Sequence, residues 1–168
     1  MNAWVLFDWG GTLMRDFPGS KGKMKDWRRV EAVPGARKAL HQIHGQVGVA
    51  LATRAEESDE ADIREALARV ELDAFIKRIY SPLALGLDKG SPDFYRRILA
   101  ELKVSPDRVV MVGDNYKEDV EAARAAGMRA VWFNEHNSEE RTGAHMATLH
   151  HLDHLQGLLT AWGILKRS

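Results

Sequence analysis

Five short apolar runs, AWVLFD, QVGVALA, FIKRIYS, RVVMVGD and RAVWFN, recur along the chain with amphipathic stretches between them. Runs of this length read as strands, and amphipathic segments between successive strands read as helices that carry the chain back across a sheet. The pattern therefore predicts an α/β fold, a parallel sheet covered by helices on both faces. The intervening segments carry helix signals of their own. PGARKALHQIH starts with a proline suited to a first turn. SDEADIREALARV sets Ile63, Leu67 and Val70 on one face behind an acidic start. SPDFYRRILAEL offers Ser91 as cap and Pro92 as first helical residue, and KEDVEAARAAG stops at Gly127. In the tail, from about ATLHHLDHLQGLLTAW, Leu149, Leu152, Leu155 and Leu159 stand at helical spacing and predict a last helix. The 168 residues fit a single domain, 1–168.

Residues 13–33 break the alternation. They hold proline, glycine and many charges, including KGKMKDWRRVE, and they leave directly from the loop after the first strand. This segment is expected to form a short flap over any site at that strand end, too short to be a separate cap domain.

Composition excludes several classes. Lysine plus arginine (24) balance aspartate plus glutamate (24), so no global field attracts nucleic acid or an anionic membrane. Without cysteine there are no disulfides, no thiol catalysis and no cysteine zinc site. The apolar start is short, is interrupted by Asp8 and lacks a basic leader. A cytoplasmic protein, monomeric or homodimeric, is the expectation.

In a doubly wound sheet, ligands bind at the carboxyl ends of strands. Here those ends are Asp8 with Thr12, then Thr53, then Lys89 before the helix that follows the IYS strand, then GDNYKED. Gathered at one edge, Asp8, Asp114 and Asp119 form a carboxylate cluster that a hard divalent cation, Mg²⁺, would neutralise. Lys89 adds a fixed positive charge for the carboxylate and for a phosphate oxygen, and Thr53 a neutral donor. Such a set suits an aspartyl-phosphate intermediate on Asp8.

These segments resemble the haloacid dehalogenase (HAD) superfamily. FDWGGTL is similar to its first motif, LATRAEES to its second, LDKGSPDFY to its third and VVMVGDNYKEDVEAARAAGM to its fourth, from about Ala3 to Asn134. The resemblance implies a three-layer Rossmann-like fold and Mg²⁺-dependent hydrolysis of a small phosphorylated substrate. It assigns catalysis to Asp8, Thr53 and Lys89, with Gly11, Thr12, Thr53, Arg54 and Lys89 as substrate contacts. The metal would be held by Asp8, the main-chain carbonyl of Gly10 and Asp114, with Asp119 supporting or completing the shell.

Gly10 departs from the family's phosphatases, which usually carry there an aspartate that protonates the leaving alcohol and later activates water. The glycine keeps the carbonyl and removes the proton shuttle, worth roughly 10²–10⁴ in rate. The activity implied is weak or selective, and the alternative is a catalytically impaired phosphate- and Mg²⁺-binding module. Asp16 and Glu118 are candidate replacement acids, and Lys21, Lys23 and Lys25 candidate cations reaching in from the flap. Carbon–halogen cleavage by Asp8 needs no leaving-group acid but leaves the metal set unexplained.

Plainer roles stand beside these. Thr53 suits a turn, Lys89 a solvated loop, and the charges and Trp27 of the flap a solvated surface rather than a grip on extra phosphates. Trp9 either lines the pocket or packs under its loop. His150, His151 and His154 stand at a spacing that on a helix could hold a metal.

Overall fold

The computed structural model describes residues 1–168. Six parallel strands form one sheet in the order β3-β2-β1-β4-β5-β6. They are β1 Trp4–Phe7, β2 Gly48–Ala52, β3 Arg78–Tyr80, β4 Val109–Gly113, β5 Arg129–Phe133 and β6 Met146–Leu149. The five strands expected from the apolar runs are all present. The central ones are buried throughout, as in a sheet covered on both sides.

Side-chain alternation splits the core into two layers. Val5, Phe7, Val49, Leu51, Val110 and Val112 pack against helices α1 (Ala36–Ile43), α2 (Glu60–Arg69) and α6 (Leu155–Ala161). From the opposite face, Trp4, Leu6, Ala50, Ala52, Val109 and Met111 meet α4 (Pro92–Leu102) and α5 (Ala122–Ala125). A short α3 (Pro82–Leu85) follows β3. Helix α2 begins with a reciprocal capping box between Asp59 and Asp62, and Ser91 caps α4 through the Asp93 N–H. Ile63 and Leu67 are buried as their spacing predicts, and Val70 is half-buried at the C-cap. No helix is long and apolar enough to cross a membrane.

The tail corrects the sequence reading. Residues 146–149 form a sixth strand paired with β5, from Ala130 opposite Met146 to Phe133 opposite Leu149. Leu152, Leu155 and Leu159 are buried, on a 3-10 turn (Leu152–His154) and α6. Leu149 belongs to the strand, and its spacing from Leu152 imitates a helical repeat. The histidines consequently share no helix face. His150 lies 2.7 Å from the Asn134 carbonyl and 3.2 Å from Glu140, while His151 Nδ1 accepts the Asp153 N–H.

Residues 13–33 form a strap. Met14 bridges to Ala32, the Arg15 N–H donates to Glu31 O and the Val33 N–H to Leu13 O, so the two ends of the segment lie side by side. A 3-10 turn (Met24–Asp26) packs on α2 with Met24 buried. Lys23 donates to Asp62 at 2.7 Å, and Lys25 lies 3.4 Å from Asp62 and 3.2 Å from Glu65. The carboxylate of Asp62 is held well below its usual range, first by the Lys23 hydrogen bond and then by the Asp59 N–H. These two lysines fasten the strap to α2.

Candidate active site

Strand order reverses between β1 and β4, the topological switch point at which open α/β sheets bind ligands. The two strands are in register, Phe7 opposite Val112, and the Asp8 N–H donates to Val112 O at 2.9 Å. Asp8 and Asp114 therefore leave adjacent strand ends side by side. After Asp8 the chain turns at once, with the Trp9 carbonyl accepting from the N–H groups of Thr12, Leu13 and Met14. Gly11 takes φ +84, and a β-carbon there would lie 2.4 Å from Asp114 Oδ2. At Gly113 a β-carbon would lie 2.1 Å from Asp119 Oδ2. Both glycines exist so that a carboxylate can approach the backbone.

Lys89 is the centre of the cluster. Its side chain is 1% exposed, and Nζ donates to Asp8 Oδ1 at 2.8 Å. Asp119 Oδ1 lies at 2.8 Å on its other side, an ion-pair contact without good hydrogen-bond alignment. Burial works against the ammonium's charge, but Asp8 and Asp119 outweigh it and hold Lys89 above its ordinary pKa. Asp119 Oδ2 accepts the Asn115 N–H at 2.9 Å, while Oδ1, beside Lys89, accepts no hydrogen bond. Asp114 is less constrained: beside the Asp8 carboxylate, the Thr12 hydroxyl approaches its side chain, 3.4 Å from Oδ1 and equally far from Asp8 Oδ2.

One oxygen from each of Asp8, Asp114 and Asp119 lies within 4.8 Å of the others, a spacing one cation can bridge. Three carboxylates against one ammonium leave two negative charges, and the protein answers by holding protons. Burial first, then the hydrogen bond and charge of Asp8, push Asp114 up to about 8. Burial, then Asp8, push Asp119 up to about 7 against the pull of Lys89. All-oxygen donors with two uncompensated charges fit a hard dication.

Asp119 is placed by a π-helical turn, Tyr116–Glu121, that precedes α5. Asn115 caps it by accepting the Glu118 N–H at 3.0 Å, and the buried Tyr95 hydroxyl donates to Glu118 O at 2.6 Å. Sequence reasoning missed both residues. An asparagine directly before a helical run is a cap signal; Tyr95, on the buried face of α4, gives none.

A cleft of about 660 Å³ opens over this cluster, lined by Asp8, Gly10, Thr53, Arg54, Lys89, Asp114 and Asp119 among others. Thr53 is buried and accepts the Ala55 N–H at 3.1 Å, which leaves its hydroxyl proton free for a ligand. Arg54 is exposed and pairs with Glu118 at 3.0 Å. Gly11 and Thr12 do not line the cleft: the Gly11 N–H is taken by Met14 O at 2.8 Å, and Thr12 is fully buried between two carboxylates. Trp9 does both things considered for it, packing in the core with Nε1 3.1 Å from Met14 Sδ and forming part of the cleft wall. Asp16 and Glu118 line the cleft; Lys21, Lys23 and Lys25 do not, the last two being bound to α2.

Comparison with known proteins agrees with this geometry. The model of the haloacid dehalogenase-like hydrolase family matches residues 20–127. A glyceraldehyde 3-phosphate phosphatase of Pyrococcus furiosus is 31% identical over 106 residues, 60% of this chain and 41% of that protein. A phosphoserine phosphatase of Thermus thermophilus is 31% identical over 130 residues, 77% and 51% of the two chains. The chain thus spans about half the length of the relatives it matches. Among solved structures, an uncharacterized protein from Listeria monocytogenes serotype 4b superposes with a TM-score of 0.82 at 20% identity, over 97% of this chain and 99% of that one. A HAD family hydrolase from Deinococcus radiodurans, with bound phosphate and sodium, gives 0.73 at 19% identity over 99% and 98%.

Proposed function

Since the chain belongs to the haloacid dehalogenase-like hydrolases, we propose that it is a Mg²⁺-dependent phosphohydrolase in which Asp8 is the nucleophile. The observation that carries this reading is the convergence of Asp8, Asp114 and Asp119 around a buried Lys89 at the sheet's switch point. Asp8, Asp114 and the Gly10 carbonyl would hold the cation, with Asp119 completing the shell while it positions Lys89. When bound, the cation would screen the charges of Asp8 and of the incoming phosphate.

A carboxylate oxygen of Asp8 attacks phosphorus, the ester P–O bond breaks, and the phosphoryl group passes to Asp8 while the alkoxide departs. Lys89 faces both Asp8 and the transferred group, Thr53 donates to a phosphate oxygen, and Thr12 keeps the Asp8 and Asp114 carboxylates together. No acid stands at position 10 to protonate the alkoxide. Substrates with good leaving groups, acyl and aryl phosphates, should therefore react fastest in the first step. The activities of the related phosphatases support a small phosphorylated substrate as the partner. The test is phosphate release from acetyl phosphate and an aryl phosphate. Release that requires Mg²⁺ and stops with chelator supports the reading, and the absence of Mg²⁺-dependent release from either contradicts it. Gly10 favours a second reading, a module that binds phosphate and Mg²⁺ without turnover.

Stability carries a further prediction. Asp114 and Asp119 have folded pKa values raised above those of the unfolded chain, so the native state holds protons the unfolded state has lost. Without metal, their contribution is fully present below about pH 4 and is lost as pH rises through about 7 and 8. Mg²⁺ takes the place of those protons, so its stabilisation should grow over the same window. At 100 times Kd the effect is about 2.7 kcal/mol, or roughly 5–10 °C in Tm at pH 8. Thermal melts with and without Mg²⁺ at pH 5 and pH 8 check this, and equal shifts at the two values would contradict it.

A further inference from the structure

Building on the phosphohydrolase reading, we infer that the cleft selects its substrate by the charge of the leaving group, favouring a phosphomonoester that carries an ammonium and rejecting one that carries a further anion. Outside the catalytic cluster, the charged side chains of the cleft wall are Asp16, Glu56, Glu57, Glu118 and Arg54. They come from three separate segments: Asp16 from the strap, Arg54, Glu56 and Glu57 from the loop after β2, and Glu118 from the π turn. The single cation is already committed, with Arg54 3.0 Å from Glu118. Of the strap lysines that could have reversed this sign, Lys23 and Lys25 are held on the carboxylates of Asp62 and Glu65, and Lys21 does not line the cleft. A phosphate entering the cleft uses the positive charge of Lys89 and the dication, and leaves the rest of its molecule facing uncompensated carboxylates.

A second feature of the wall suits the same ligand. Trp27 lines the cleft half-buried, its indole Nε1–H already given to Gly22 O at 3.0 Å. With its N–H committed, the indole adds apolar aromatic surface to the wall while also packing on the core, and aromatic surface beside carboxylates is the surroundings that alkylammonium groups prefer. A strap basic in composition thus presents an acidic and aromatic surface to the site. The alternative in which the strap's basic run and Trp27 grip extra phosphates is disfavoured by the placement of Lys23 and Lys25 on α2.

Three phosphomonoesters of similar size isolate the charge: phosphoethanolamine, n-propyl phosphate and phosphoglycolate, carrying an ammonium, nothing and a carboxylate. Their Kd values are measured by calorimetry on the Mg²⁺-loaded protein, so the result does not depend on turnover. The expected order is phosphoethanolamine tightest and phosphoglycolate weakest, about tenfold between neighbours at low salt, shrinking toward equality in 0.5 M salt. Glu56→Gln with Glu57→Gln should compress the same series. Equal Kd values for the three, the reverse order, or no binding of any of them overturns the inference. Failure of phosphate release from acetyl phosphate, with the order intact, would instead overturn the phosphohydrolase reading and leave the charge selection standing.

Discussion

Asp8→Asn is expected to lower Mg²⁺-dependent phosphate release on the order of 10⁴-fold or more, with the protein still folded. The amide is the same size, and its oxygen can still accept from Lys89, whose other partner, Asp119, remains 2.8 Å away. Removing the charge of Asp8 also removes a force that keeps protons on Asp114 and Asp119. The metal-free variant should therefore melt no lower than wild type at pH 8. Loss of activity together with an undiminished Tm identifies a chemical role; a comparable loss of Tm would identify a structural one.

Gly10→Asp is expected to act in the opposite direction, raising turnover of alkyl phosphates by roughly 10²–10⁴. The structure accommodates it, since a β-carbon at Gly10 meets nothing within 4 Å and the residue does not have positive φ. The carboxyl would enter a cleft that Gly10 already lines. Gly10→Ala, which fills the same space without a proton, should gain nothing. Measured across acetyl, aryl and alkyl phosphates, the gain should be largest where the leaving group most needs protonation. If wild type is silent and Gly10→Asp is active, the natural role is binding. If Gly10→Asp gains nothing over an active wild type, Asp16 or Glu118, both on the cleft wall, becomes the acid to test.

The parts of this molecule readable in advance were those encoded locally. A run such as RVVMVGD announces both a buried strand and the reactive residue at its tip, because in a parallel sheet the tips collect at one edge. Asp8, Thr53, Lys89, Asp114 and Asp119 meet in the cleft for that reason. What stayed hidden depends on partners distant in sequence. The Lys23–Asp62 bond joins residues 39 apart, and nothing in KGKMKDWRR says its charges turn away from the site. Strand β6 was hidden for a different reason: four residues at the sheet edge, three of them short of full burial, carry little hydrophobic pattern, and the leucines after them supplied a stronger helical one. The π turn that presents Asp119 follows from a cap by Asn115 and a hydroxyl from Tyr95, neither visible as periodicity.

If Asp8 carries the phosphoryl group, the glycine at position 10 makes this directly observable. With no side chain there to activate water, the aspartyl-phosphate should form faster than it is cleared. The measurement is the intact mass of the Mg²⁺-loaded protein, quenched in acid seconds after mixing with acetyl phosphate, with the modified peptide then mapped. One added phosphoryl group is expected, located on Asp8, absent from Asp8→Asn and short-lived in Gly10→Asp. Phosphate release from wild type with no such adduct, or an adduct on another residue, would contradict it.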